Sequence, residues 1–179
     1  SEEEAQAIGH AAREAGIWLA CHAQAAEAVK RAVRAGFRLI FHCTYADEEA
    51  LDLLEAHRHE VFVAPAPGLL YARVHEAQAF GIGPREAARL GAVSGLELMQ
   101  KVYPEMRRRG IRVLPGGDYG FPYNPIGRNA RDLALFVAKG LSGEDFCRMV
   151  VDQFDQLYED AAASARVMAL ALRTLTFDA

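Results

Sequence analysis

The chain has 179 residues, just over half of them apolar and a quarter charged, enough for one domain with a real core. Its formal charge of -4 argues against a nucleic-acid binder, which usually carries a basic balance. No apolar run approaches the roughly 18 residues a membrane helix needs, so no membrane partner is expected.

Ser1 and Glu4 have the spacing of a capping box and predict a helix to about Ala15, stopped by Gly16. No signal peptide is visible and there is no initiator Met, so the chain reads as a fragment or a processed product. Residues 17–22 are a short apolar run and a buried-strand candidate. "AAEAVKRAVRA" repeats apolar residues at helical spacing and ends at Gly36. "FRLIF" at 37–41 is the second strand, and "ADEEALDLLEAH" is an amphipathic helix with acids in its first turn. "EVFVAP" at 60–65 is the third strand, broken by Pro65.

A longer excursion follows. "GLLYARVHEAQAFGI" predicts a helix, and residues 83–110 one or two more, ending in the basic run Arg107–Arg109. That run suits a helix C-terminus better than a phosphate site. "IRVLPGGD" at 111–118 is the fourth strand, and "YGFPYNPIG" is an aromatic, Gly/Pro-rich loop. Asn129 is placed to cap the next helix. From about Gly143 to Asp160 another helix is expected, then an Ala-rich apolar segment.

Alternating strands and helices predict an α/β fold with a parallel sheet, either doubly wound or a (β/α)8 barrel. No GxGxxG follows a strand, which gives dinucleotide binding little support. In parallel α/β folds the active site lies at the carboxyl ends of the strands. His22 closes the first predicted strand, His42 the second and Asp118 the fourth. Two imidazoles and a carboxylate suit zinc or a similar divalent ion, with Asp118 as catalytic base and third ligand. Candidate substrate contacts are Tyr71, His75 and Tyr119. Arg73 and the aromatic loop hint at a small-molecule substrate with apolar and anionic parts. His10, His57 and His59 lie on or after helices and read as solvated; Trp18 reads as core. Arg128 reads as a solvated loop residue. The three cysteines, Cys21, Cys43 and Cys147, form no CxxC pair, which fits a reducing, cytoplasmic setting. Cys21 and Cys43 flank the histidines and are expected to pack in the core.

The pieces "LACHAQAAEAVKRAVRAGFRLIFHCTYADEEALDLL" and "GIRVLPGGDYG" resemble the amidohydrolase superfamily, in its imidazolonepropionase- and prolidase-like branch. The resemblance covers roughly residues 1–140. It implies strands 5–8 of a (β/α)8 TIM barrel, the helices between them, and hydrolysis of amide or cyclic amide C–N bonds. It also implies that His22, His42 and Asp118 serve the metal centre. The family's first-strand His-x-His pair and its strand-4 bridging residue have no counterpart here. The chain therefore reads as half a barrel that needs a missing N-terminal half or forms a homo-oligomer. The alternative is a catalytically inactive half-barrel that self-associates. Residues 146–172 resemble a polysaccharide-deacetylase-like segment, so 141–179 reads as a helical tail of different origin.

Overall fold

In a computed structural model, the described residues are 1–128 together with 131, 132, 134, 135, 144, 147, 148, 151 and 155. The predicted cap at Asn129 and the character of most of the 141–179 tail fall outside them.

Helix α1 (Glu2–Ala15) begins with the expected capping box, Ser1 and Glu4 each satisfying the other's backbone N–H. It ends at Gly16 in the left-handed conformation, which glycine adopts without a Cβ clash. Four strands follow: β1 (Ala20–Ala25), β2 (Leu39–Tyr45), β3 (Phe62–Ala64) and β4 (Arg112–Val113). Between them run α2 (Ala26–Ala35), α3 (Glu48–Ala56), α4 (Pro67–His75), α5 (Pro84–Arg89) and α6 (Ala92–Arg108). All four strands are parallel and lie in chain order, β1-β2-β3-β4.

In a sheet of sequential strand order, right-handed crossovers place the connecting helices on one side. The core bears this out. Val29 and Val33 of α2, Leu54 of α3 and Met106 of α6 meet Ile40 and Val63 of the sheet in one buried cluster. The opposite face carries Leu39, Phe41, Ala64 and Leu114, which line a cavity instead.

Two predicted strands shift toward the C-terminus. Pairing of β1 with β2 begins at Ala20 opposite Leu39, so residues 17–19 precede the sheet. His22 and His42 therefore sit inside their strands, not at the ends. Trp18 is not core: it is 40% exposed, with the Arg38 guanidinium 3.9 Å from its ring centroid. That cation–π contact shields the indole in place of apolar packing. The fourth strand contracts to two residues because the chain leaves the sheet at Leu114. Of the three histidines read as solvated, His10 and His59 are exposed and His57 is partly so.

Charge ties the helical layer together. Arg109, at the end of α6, is buried and ion-paired to Glu48, Asp52 (2.5 Å) and Glu55 (3.5 Å) of α3 and to Glu105 (2.6 Å) of its own helix. Its three partners on α3 recur at helical spacing and present one acidic face. Those hydrogen bonds hold the Arg109 charge firmly in place and push its pKa up. The basic run is thus an interhelical clamp as well as a helix terminus. Lys30 does the same between α2 and α3, bonding Glu49 at 2.7 Å and also Glu27.

The α1–α2 contact is closer still. A Cβ placed on Gly9 would lie 1.9 Å from the Ala35 carbonyl oxygen, which already accepts a hydrogen bond from Arg13 at 3.1 Å. Gly9→Ala gains helix propensity but collides with backbone that cannot rotate away. Net destabilisation of about 1–3 kcal/mol is expected, read as a lower denaturation midpoint in urea. An unchanged or higher midpoint would show that the two helices separate at no cost.

Candidate active site

Side chains alternate along a strand, so a regular β2 that sends Ile40 toward the helices and Phe41 to the other face would send His42 back to the helices. It does not. His42 has φ 77° and Cys43 φ 51°, both left-handed. At the same point the pairing skips from Ala23–His42 to Ala25–Tyr45, one residue of β1 against two of β2. This is a β-bulge, which re-aims a side chain at the cost of local backbone strain. Cys43 drops into the core, fully buried, and burial pushes its thiol pKa up. His42 turns to meet His22.

The two imidazoles face each other, His22 Nδ1 to His42 Nε2, at 2.8 Å. His22 follows ordinary alternation: Cys21 and Ala23 pack toward the helices, and His22 projects the other way, its ring 5.1 Å from that of Phe41. His42 is 8% exposed, and burial is the main force lowering its pKa. Nearby Asp118 and a backbone hydrogen bond at Pro65 act in the opposite sense. Proline has no N–H, so its carbonyl accepts from His42. With Nε2 turned to His22, the donor is Nδ1, and Nε2 keeps a lone pair.

Asp118 lies five residues beyond β4, also left-handed at φ 53°. Its loop is held by a buried polar lattice. Asn124, wholly buried, donates from Nδ2 to the carbonyls of Gly117 (2.7 Å) and Asp118 (2.8 Å). Arg131 donates to Asn124 Oδ1 at 2.6 Å, to Asp132 at 2.9 Å and to Glu76 at 3.0 Å. Tyr119 donates its hydroxyl to Asp132, and burial with that bond pushes the phenol pKa up. Asp132 fits only because Gly117 has no side chain: a Cβ there would lie 1.8 Å from its carboxylate. This explains the second glycine of "PGGD" by close approach.

Two cavities share a wall made of His22, His42, Ala66 and Asp118. One, of about 330 Å³, runs along the apolar sheet face past Phe41 and Leu114. The other, of about 220 Å³, opens toward Gln24, Arg73 and Phe121. The fold thus gathers the three residues singled out from sequence around one space. The proposed substrate contacts lie elsewhere: Tyr71 and His75 stack on each other at 4.5 Å, Tyr119 is committed to Asp132, and none of the three lines either cavity. Arg128 pairs with Glu76 at 2.5 Å.

The spacing of the imidazole pair is close to what one ion would need. Tetrahedral zinc with N–Zn bonds of about 2.0–2.1 Å holds its nitrogens about 3.3 Å apart, so the rings need part by only about half an ångström. Among the described residues, however, no three His, Cys, Asp or Glu side chains converge closely enough to hold a metal.

No family model matches the chain, and no curated protein does. Solved structures do. A Xaa-Pro dipeptidase with methionine bound in its active site is 28% identical, with a TM-score of 0.67 over 79% of this chain and 34% of its own. A structure described as an amidohydrolase is 27% identical, with a TM-score of 0.66 over 81% of this chain and 33% of its own. A prolidase complexed with N-methylphosphonate-L-proline is 28% identical, with a TM-score of 0.60 over 69% and 29%. The chain is similar to prolidases and amidohydrolases. It spans about a third of the length of these structures.

Sequence reasoning singled out the two histidines and the aspartate that line both cavities, but not the polar residues that hold the Asp118 loop. Asn124, Arg131 and Asp132 carry no motif; buried polar residues in a loop are visible only once burial is known. Asn124→Ala strips two buried carbonyls of their donor and should cost about 1–3 kcal/mol. Denaturant unfolding checks the cost. Asn124→Asp restores the volume but not the donors, and should recover little of the loss. Wild-type stability in Asn124→Ala would mean that water serves those carbonyls equally well.

Proposed function

We propose that this chain is part of a metal-dependent hydrolase of the amidohydrolase type, acting on C–N bonds, and that its four strands are the second half of a (β/α)8 barrel. Strand order and the one-sided helical layer support the barrel, since a doubly wound sheet divides its helices between two faces. The observation that carries the function is the facing pair His22–His42 beside Asp118, in a chain similar to prolidases and an amidohydrolase.

His22 and His42 would hold the ion through Nδ1 and Nε2, with Asp118 completing what this chain can offer. The Pro65 carbonyl fixes the His42 ring, as a partner on the far nitrogen does for metal-binding imidazoles. A divalent ion there, zinc by its liking for imidazole and carboxylate, would supply Lewis acidity to polarise a carbonyl and acidify water. The Asp118 carboxylate takes the proton of the attacking water as the new C–O bond forms at the amide carbon. It then gives that proton to the departing nitrogen as the C–N bond breaks.

Two imidazoles and one acid make a weak site. Zinc-loaded, desalted protein should therefore retain less than one equivalent by elemental analysis. His22→Ala should abolish that retention, and Asp118→Asn should reduce it. Undiminished zinc in His22→Ala would refute the ligand assignment.

A further inference from the structure

One buried carboxylate joins the two parts of the site. Asp132 is 1% exposed; it accepts from the Tyr119 hydroxyl and pairs with Arg131 at 2.9 Å. It also lies against two glycines, and a Cβ on either Gly117 or Gly68 would overlap its carboxylate. Gly117 and Tyr119 are the chain neighbours of Asp118, one on each side. Gly68 lies in the first turn of α4, just after Pro65, whose carbonyl holds His42, and Ala66, which lines both cavities. Arg131 braces the same junction. Its Nη2 donates to the Gly68 carbonyl at 3.3 Å and to Asn124 at 2.6 Å, and its Nη1 to Glu76, at the other end of α4, at 3.0 Å.

Filling a gap does not need a charge. A carboxylate taken out of water is costly even when paired, and an apolar side chain of similar volume often serves stability as well. What a fully bonded buried pair adds is one fixed geometry. The geometry at stake here is the separation of Asp118 from the imidazoles. Strand pairing does not set it, because the last β3–β4 pair, Val63–Val113, lies five residues before Asp118.

We propose that Asp132 is a positioning residue: wedged between Gly68 and the two neighbours of Asp118, it fixes where Asp118 stands relative to the His22–His42 pair. Asp132 lines neither cavity, so it acts through Asp118. The proposal rests on the hydrolase reading above for the role of Asp118 beside an ion, but not for the mechanical link.

Two measurements on the whole chain test it. The first, in EDTA, follows amide hydrogen exchange at Gly120 and Asn124, whose N–H groups bond the Asn124 and Phe121 carbonyls, with Leu114, bonded to Val63, as the sheet control. Asp132→Asn should speed exchange at Gly120 and Asn124 by about tenfold, as expected for the loss of one charge-assisted hydrogen bond, and leave Leu114 unchanged. Gly68→Ala keeps Asp132 but drives a methyl into its carboxylate, and should act alike; it decides the matter where Asp132→Asn does not fold. Unchanged exchange in the loop, or equal acceleration at Leu114, would overturn the link. The second measures zinc affinity by competition with a chromogenic chelator. Either variant should bind as weakly as Asp118→Asn, and combining it with Asp118→Asn should cost nothing more, since the effect passes through one carboxylate. Wild-type affinity in the single variants, or a further loss in the combined one, would overturn the positioning role. A wild type that binds no zinc sinks the hydrolase reading instead, and exchange alone then judges Asp132.

Discussion

The bulge at His42–Cys43 is the constraint on which the site depends. A regular strand would have to choose between core and site at each step, because its faces alternate. By placing two residues of β2 against one of β1, the chain puts Cys43 in the core and His42 on the far side, against His22. Two left-handed residues in succession, neither a glycine, are strained. The strain is held by what surrounds it: the Cys43 side chain fully buried, and the His42 ring tied at both nitrogens.

The helical layer is what makes such a strand tolerable. α2, α3 and α6 share one apolar cluster with the sheet, and the Arg109 and Lys30 clamps fix their relative positions. Both clamps lie on the side of the sheet away from the cavities, so they stabilise the frame without competing for the site's charges. On the site side the chemistry differs. There Asp118 is presented by a loop whose carbonyls are held by one buried amide, itself oriented by Arg131. Buried polar networks of this kind specify one geometry when every member is satisfied.

The two cavities give that geometry a direction. The wall they share carries both imidazoles and Asp118, with an apolar chamber along the sheet on one side and Arg73 on the other. A substrate crossing that wall would meet unlike environments at its two ends, which is how a site reads orientation as well as identity. The solved structures similar to this chain, a Xaa-Pro dipeptidase and a prolidase among them, are more than twice its length.

The sequence by itself determined the parallel α/β order and the caps at Ser1, Gly16 and Gly36, because periodicity and capping chemistry are local signals, and it singled out His22, His42 and Asp118, which the fold brings to one cavity. It misjudged where two strands begin, since pairing register is set by a partner strand and not by an apolar run. It put Trp18 in the core, having no way to see Arg38 cover the ring. Only the tertiary structure decided which of many polar residues hold the site. Asn124 and Asp132 matter because they are buried beside Gly117, a fact about neighbours some distance apart in the chain.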